Sequence, residues 1–245
     1  MRLDLLAFGV HPDDVELSCA GTLLVEKNNG KKIGIIDLTR GELGTRGTAA
    51  SREKEAADSA RILGVELREN LEMPDGFFKD DEINQRKIIQ VLRKYQPHVI
   101  LCNSPEDRHP DHGRAAALVQ TAAFLSGLIK IETRDTTGKL QDPWRPEHIF
   151  HYIQDTYHNP DFVIDVSAYF DKKVESIRAF GTQFYHPDHV DDGPQTYISS
   201  PEFLESITHR AKMFGKMIGV PFAEGFITKK MIGLKNFDPL IPQQG

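Results

Sequence analysis

Short apolar runs alternate with helix-like stretches along the first half of this chain. Apolar runs that end near glycine or proline are typical of buried strands, and they occur at 3–10, 33–38, 67–71 and 99–102. Apolar residues spaced three and four positions apart predict amphipathic helices between those runs, at 20–29, from Ser51 to Gly64, at 83–95 and at 115–128. Strands that alternate with helices predict an α/β fold, a Rossmann-like open and mostly parallel sheet with helices on both faces.

The second half of the chain has weaker periodicity. Residues 132–146 are polar and contain a glycine and two prolines, which predicts a loop. Later apolar stretches predict two strands and two helices, at 148–153, 162–166, 168–180 and 201–218. The end, from Pro221 to Gly245, is expected to wrap the surface. We therefore expect a single domain over 1–245, with a core over about 1–130 and a small C-terminal extension over about 131–245.

Two of the predicted strands are followed at once by a His-Pro-Asp turn. His11-Pro12-Asp13-Asp14 ends the first strand, and Arg108-His109-Pro110-Asp111-His112 follows the strand at 99–102. In a parallel sheet both turns face the crevice at the carboxyl ends of the strands, where ligands bind. Taken alone, the first turn also fits an Asx turn in which Asp13 or Asp14 caps a helix. The second turn at a matching position favours a binding site.

Imidazole and carboxylate groups suit Zn²⁺, and a catalytic zinc keeps three protein ligands and one open position. The two turns can supply His11, Asp14 and His112 as such a set. This choice leaves three further side chains for chemistry, namely Asp13, His109 and Asp111. Spacing alone does not decide which histidine binds the metal.

Composition narrows the classes of partner. The formal net charge of −6 argues against nucleic acid, because neutralising phosphates requires clustered Lys and Arg. No apolar stretch approaches the ~20 residues needed to cross a membrane. Cys19 and Cys102 lie in apolar surroundings and are expected to be small buried side chains in a reducing cytosol, with a thiolate ligand at Cys19 as the alternative. A cytoplasmic protein is expected.

Three other stretches have two interpretations each. The glycine-rich loop 39–47 carries two arginines and is either a lid over a substrate or an ordinary loop. Arg52 lies in a first helical turn, where its charge opposes the helix dipole, so it either holds a ligand group or is a surface charge. His186-Pro187-Asp188-His189 follows a predicted helix rather than a strand, which favours a mobile loop over a lid or a metal site.

The two His-Pro-Asp clusters resemble the LmbE/PIG-L family of zinc-dependent N-deacetylases, which remove acetyl from N-acetylglucosamine conjugates. Three further stretches carry the same resemblance, Thr39-Arg40-Gly41-Glu42, Arg52–Glu55 and Ala223-Glu224-Gly225-Phe226. The overall pattern and length are most similar to the bacillithiol-pathway deacetylases, which act on N-acetylglucosaminyl malate. The resemblance implies a small-molecule N-acetyl sugar as the substrate and a homo-oligomer as the assembly.

The resemblance also implies roles for individual residues. His11, Asp14 and His112 would bind zinc, with Fe²⁺ as an alternative in the cell, and a zinc-bound water would attack the amide. Asp13 matches the general base, His109 the residue that stabilises the oxyanion, and Asp111 a carboxylate that orients a histidine. Arg52 matches a position that contacts substrate, and Arg108 and Tyr197 are further candidates for substrate binding. The segment 186–201 departs from the family pattern, so the resemblance implies no role there, and Tyr185 and Tyr197 are open candidates for gating or oxyanion contact.

Three other functions compete with this one. A deacetylase of another N-acetyl sugar, such as a chitooligosaccharide, would use the same residues. A phosphoesterase with two metals would need more bridging carboxylates than the two turns contain. A non-catalytic metal-binding or sugar-binding module would have no use for Asp13 and His109 beside a complete ligand set.

Overall fold

The structure is a computed structural model, and it describes residues 1–185 and 193–240. The strands are β1 (Leu5–Gly9), β2 (Ile33–Asp37), β3 (Leu67–Asn70), β4 (Val99–Cys102), β5 (His148–Tyr152), β6 (Phe162–Asp165) and β7 (Ala223–Ile227). The α-helices are α1 (Asp14–Asn28), α2 (Ala49–Leu63), α3 (Glu82–Tyr95), α4 (Pro110–Leu125), α5 (Phe170–Arg178) and α6 (Pro201–Ile218). The predicted order of elements is confirmed for the first half of the chain.

The strands form one sheet in the order β3-β2-β1-β4-β5-β7-β6. The first five strands of this order pair in parallel, and β7 pairs antiparallel with β5 and β6. The predicted mostly parallel α/β sheet is confirmed. β1 lies between β2 and β4, so the strand order reverses at β1. Ligands of open α/β sheets bind at such a switch point, outside the carboxyl ends of the strands.

Both faces of the sheet are covered, as predicted. Alternate residues of β1 point to opposite faces, so Leu6 and Phe8 join one buried cluster and Leu5 and Ala7 join another. α3 and α4 supply the helical side of the first cluster, and α1 supplies that of the second. Among the helices of the described ranges, none combines the length and apolarity required to cross a membrane.

The prediction that the chain's end only wraps the surface is wrong for residues 223–227, which form β7 inside the sheet. Glu224 is buried there and accepts hydrogen bonds from the backbone N–H groups of Gly21 and Thr22. Its carboxylate also lies 2.5 Å from Nζ of the buried Lys173. Glu224 and Gly225 interrupt the apolar pattern that is typical of a buried strand. The charge of Glu224 is compensated by partners that are distant in the chain, so the local sequence does not show that this residue can be buried.

Three helices begin earlier than predicted. α1 begins at Asp14 rather than near residue 20, and α4 begins at Pro110 rather than at 115. α2 begins at Ala49 rather than at Ser51; its N-cap is Thr48, and Ser51 is the reciprocal partner of Thr48 in a capping box. Asp14 and His112 therefore lie in the first turns of α1 and α4, where backbone geometry holds them rigidly.

Candidate functional site

The turns after β1 and β4 meet at the carboxyl edge of the sheet. His11 Nδ1 lies 3.8 Å from Asp14 Oδ2, and His112 Nε2 lies 3.3 Å from Asp14 Oδ1. The imidazole rings of His11 and His109 are 4.7 Å apart between centroids. Two residues from the first cluster and two from the second are thus brought into one site.

Each of the two candidate histidine ligands has a carboxylate on its outer nitrogen. His11 Nε2 lies 3.0 Å from Asp75 Oδ1, and His112 Nδ1 lies 2.7 Å from Asp107 Oδ2. The inner nitrogens, His11 Nδ1 and His112 Nε2, are left facing Asp14. Metal-ligating histidines usually donate their other N–H to a carboxylate or carbonyl in this way. The arrangement fits a divalent cation held by these three residues.

The site contains more donor atoms than three. Nitrogens of His11, His109 and His112 lie within 4.8 Å of one another, and so do ligand atoms of His11, Asp75 and Asp111. Burial opposes protonation of His112, but the carboxylates of Asp14 and Asp107 raise its pKa to about 10. A cation among these groups would replace that proton and be held by the same carboxylate charge.

Asp111, the carboxylate that the resemblance indicates for orienting a histidine, lies farther from the imidazoles than Asp75 and Asp107 do. Asp111 Oδ2 lies 4.0 Å from His11 Nε2 and accepts a hydrogen bond from the backbone N–H of Gly76 at 2.9 Å. Its other oxygen lies 2.5 Å from Arg114. In this structure Asp111 connects α4 to the turn at Asp75-Gly76 by a hydrogen bond, whereas Asp75 and Asp107 contact the imidazoles.

Asp13 does not cap α1, because its side chain makes no hydrogen bond to the first turn of this helix. Its carboxylate instead lies 3.0 Å from Arg52 Nη2 in a buried ion pair. Burial raises the pKa of Asp13 to about 7, against the lowering effect of Arg52. The residue has φ of 147°, which a non-glycine residue rarely adopts. Such backbone strain is found where the surroundings impose a functional geometry.

Arg52 is 4% exposed, so the interpretation as a surface charge is wrong. Besides Asp13, its guanidinium donates to the carbonyl oxygens of Pro12 at 2.9 Å and Gly41 at 3.3 Å. Gly41 has φ of 63°, and a β-carbon there would overlap the guanidinium. The loop 39–47 is therefore packed on Arg52, which in turn holds the Asp13 carboxylate.

His109 is the N-cap of α4 and faces the same space. Its Nδ1 accepts a hydrogen bond from the backbone N–H of Asp111 at 3.3 Å. Burial lowers the pKa of His109, and the neighbouring imidazoles of His11 and His112 lower it further. The neutral ring therefore carries its proton on Nε2, which can donate to an oxygen in the cavity.

A cavity of about 370 Å³ opens above these residues. Arg108 and Tyr197, both expected to bind substrate, line its rim and share one partner, Asp155. Arg108 Nε lies 2.5 Å from Asp155 Oδ2, and the Tyr197 hydroxyl donates to Asp155 Oδ1 at 3.0 Å. Tyr185 is exposed and does not line the cavity, and His186-Pro187-Asp188-His189 lies outside the described residues.

Sequence reasoning missed several residues of the site, which are Asp75, Asn103, Asp107, Gln154, Asp155 and Arg210. The first five share one signal, since each follows a parallel strand within a few positions, at the edge where ligands bind. Cys19 and Cys102 are buried as predicted. Neither belongs to a group of metal-ligand atoms among the described residues, so the thiolate alternative has no support.

The first half of the chain matches a family model. Residues 6–123 match the model described as PIG-L, GlcNAc-PI de-N-acetylase. Among curated proteins, the diacetylchitobiose deacetylase of Thermococcus kodakarensis is 28% identical over 231 residues, which cover 90% of this chain and 81% of that protein.

Two solved structures are similar over almost the whole chain. The conserved protein TT1542 of Thermus thermophilus is 36% identical, with a TM-score of 0.83 and coverage of 96% of this chain and 98% of that one. The N,N'-diacetylchitobiose deacetylase of Pyrococcus horikoshii, solved with its inhibitor MPG, is 25% identical, with a TM-score of 0.75 and coverage of 91% and 82%.

Proposed function

We propose that this chain is a member of the PIG-L family of de-N-acetylases and a metal-dependent hydrolase that removes acetyl from an N-acetylated amino sugar conjugate. The proposal rests on one observation. The Asp14 carboxylate faces His11 and His112, and the outer nitrogens of these two histidines contact the carboxylates of Asp75 and Asp107. Beside this set lies Asp13, a buried carboxylate that is free of the helix and faces the same cavity.

His11, Asp14 and His112 would hold the metal, and zinc suits their imidazole and carboxylate atoms. When bound, the metal would supply Lewis-acid chemistry, which polarises the amide carbonyl and acidifies the attacking water. Asp13 accepts the proton of that water. Its burial makes it a stronger base than an exposed aspartate, and Arg52 fixes the direction of its carboxylate. Asp13 then returns the proton to the leaving amine.

His109 donates its Nε2 proton to the oxygen that becomes negative when the carbonyl is attacked. Its position as N-cap of α4 and the hydrogen bond to its Nδ1 fix the ring and the tautomer. Donors that are already in place when charge develops are the ones that lower the barrier, and removal of one typically costs ~10²–10³ in rate.

Within this class we propose an acidic conjugate as the substrate, and N-acetylglucosaminyl malate of bacillithiol biosynthesis as the specific candidate. Among the described residues, four arginines line the cavity, Arg46, Arg52, Arg108 and Arg210, and their guanidinium groups support an anionic ligand. Arg52 is paired with Asp13 and Arg108 with Asp155. Arg210 instead donates to the carbonyl of Leu17 at 2.7 Å and to that of Gln154, and it forms no ion pair with any residue in the described ranges.

Acetate release tests the proposed function. The purified protein is incubated with N-acetylglucosaminyl malate, N,N'-diacetylchitobiose and free N-acetylglucosamine, with and without a chelator. We expect acetate from at least one conjugate, loss of activity with the chelator, and recovery on addition of zinc or ferrous iron. Metal binding without acetate release from any N-acetyl sugar would contradict the proposal and favour a non-catalytic module. Two metals per chain would favour a phosphoesterase.

The Arg210→Met variant tests the acidic substrate. Because a hydrogen bond to a charged group contributes about 1.5–3 kcal/mol, we expect kcat/KM for the malate conjugate to fall about 10–100-fold. The value for diacetylchitobiose should stay within about twofold. The control Arg178→Met removes an exposed guanidinium from α5 and should change neither value. An equal loss on both substrates would reject a carboxylate-binding role for Arg210.

A further inference from the structure

The carboxylate of Asp14 is buried and its two oxygens have unequal surroundings. Oδ2 accepts three hydrogen bonds, from the backbone N–H groups of Val10 at 2.9 Å and His11 at 3.0 Å and from Asn103 Nδ2 at 3.0 Å. Oδ1 accepts one, from Gln154 Nε2 at 2.8 Å, and otherwise faces His112 Nε2. A carboxylate offers about four lone-pair sites in all, so Oδ2 has none left for another partner.

The two side-chain amides that contact Asp14 share an unusual feature. The carbonyl oxygens of both, Asn103 Oδ1 and Gln154 Oε1, are buried and have no hydrogen-bond partner among the described residues. Reversing either amide would place its oxygen against the Asp14 carboxylate and lose the bond to Asp14. Both amides are therefore oriented by the carboxylate alone, and each leaves an acceptor unsatisfied to keep that orientation.

We propose that Asn103 and Gln154 are positioning residues that restrict Asp14 to binding a metal through one oxygen, Oδ1. The inference rests on the proposed function only in taking Asp14 as a metal ligand. Asn103 directly follows β4, and Gln154 follows β5 by two residues. Asp14, in the turn after β1, is therefore held by residues that follow β4 and β5, the next two strands in the sheet. Arg210 donates to the backbone carbonyl oxygen of Gln154 and makes no hydrogen bond to its side-chain amide.

One-oxygen binding has two consequences for the site. Asp14 occupies a single position around the metal, which leaves room for water beside the three ligands. The four N–H donors also withdraw charge from the carboxylate, so a bound cation stays more strongly electrophilic. Loss of either amide would free the carboxylate to rotate and to use both oxygens.

The test measures metal binding to the full-length chain, with no substrate present. Gln154→Met removes the donor and keeps the size of the side chain, and Gln154→Glu keeps the shape but replaces the donor with an acceptor. The matched control is Gln141→Met, because Gln141 also has a buried oxygen without a partner and donates to Gln90 instead. Zn²⁺ affinity is measured by competition with a chromophoric chelator, and visible absorption is measured on the cobalt(II)-substituted proteins.

We expect the Met variant to bind Zn²⁺ about 10–100-fold more weakly, the Glu variant to bind at least as weakly, and both cobalt spectra to differ from the wild type. The control should match the wild type in both measurements. If the Met variant fails to fold, as judged by circular dichroism, the Glu variant decides the question. Affinities within about twofold of the wild type with unchanged cobalt spectra would overturn the inference. Absence of metal binding in the wild type would instead overturn the proposed function.

Discussion

Replacing Asp13 with asparagine is expected to lower kcat by about 10²–10⁴-fold, the usual contribution of a general base. The amide has the same shape as the carboxylate but cannot accept the proton of water. Asp13 does not contact the inner nitrogens of His11 and His112, so the variant should bind one metal per chain as the wild type does. The measurement is kcat from acetate release, paired with metal content by atomic emission.

Two features make this variant informative. Arg52 keeps a hydrogen-bond acceptor in the asparagine oxygen and in the carbonyl of Pro12, so the loop 39–47 should remain in place. The control Asp135→Asn alters an aspartate between α4 and β5 whose hydrogen bonds stay within its own turn and should leave kcat unchanged. Turnover by Asp13→Asn within about tenfold of the wild type would remove this residue from the proposed chemistry.

Replacing His112 with alanine is expected to reduce bound metal to well below one ion per chain. Acetate release should fall by at least as much as in the Asp13 variant. The imidazole supplies one of three proposed ligands, and its loss leaves the buried carboxylates of Asp14 and Asp107 without the group between them. Excess zinc should restore little activity, because the missing nitrogen cannot be replaced from solution. Metal content and kcat are measured on the same preparation.

The comparison of these two variants separates chemistry from metal binding. Asp13→Asn should lose turnover and keep metal, whereas His112→Ala should lose both. The control His98→Ala removes an exposed imidazole that precedes β4 at the opposite edge of the sheet and should affect neither quantity. A His112→Ala protein with full metal content and normal turnover would show that the ligand set is different, for instance one that includes His109.

Much of the fold was predictable from local pattern alone. The apolar runs of β1, β2 and β4 are short and lie between turn residues. A continuous apolar run of this kind is enough to predict a strand that is buried on both faces. The crevice was predictable as well, because any two parallel strands present their carboxyl ends at one edge. The position of β7 was not predictable, since the buried Glu224 is stabilised by Lys173 and by backbone groups of α1, which are distant in the chain.

The chain by itself determined that two imidazole-and-carboxylate turns would meet, because local pattern places each at a strand end. Only the tertiary structure decided how those groups are held, because their partners come from the loops that follow three other strands, β3, β4 and β5. Asp75 contacts His11 across 64 positions, Asn103 contacts Asp14 across 89, and Gln154 contacts Asp14 across 140. Hydrogen bonds of this kind depend on how the strands are ordered in the sheet, and no spacing along the sequence encodes them.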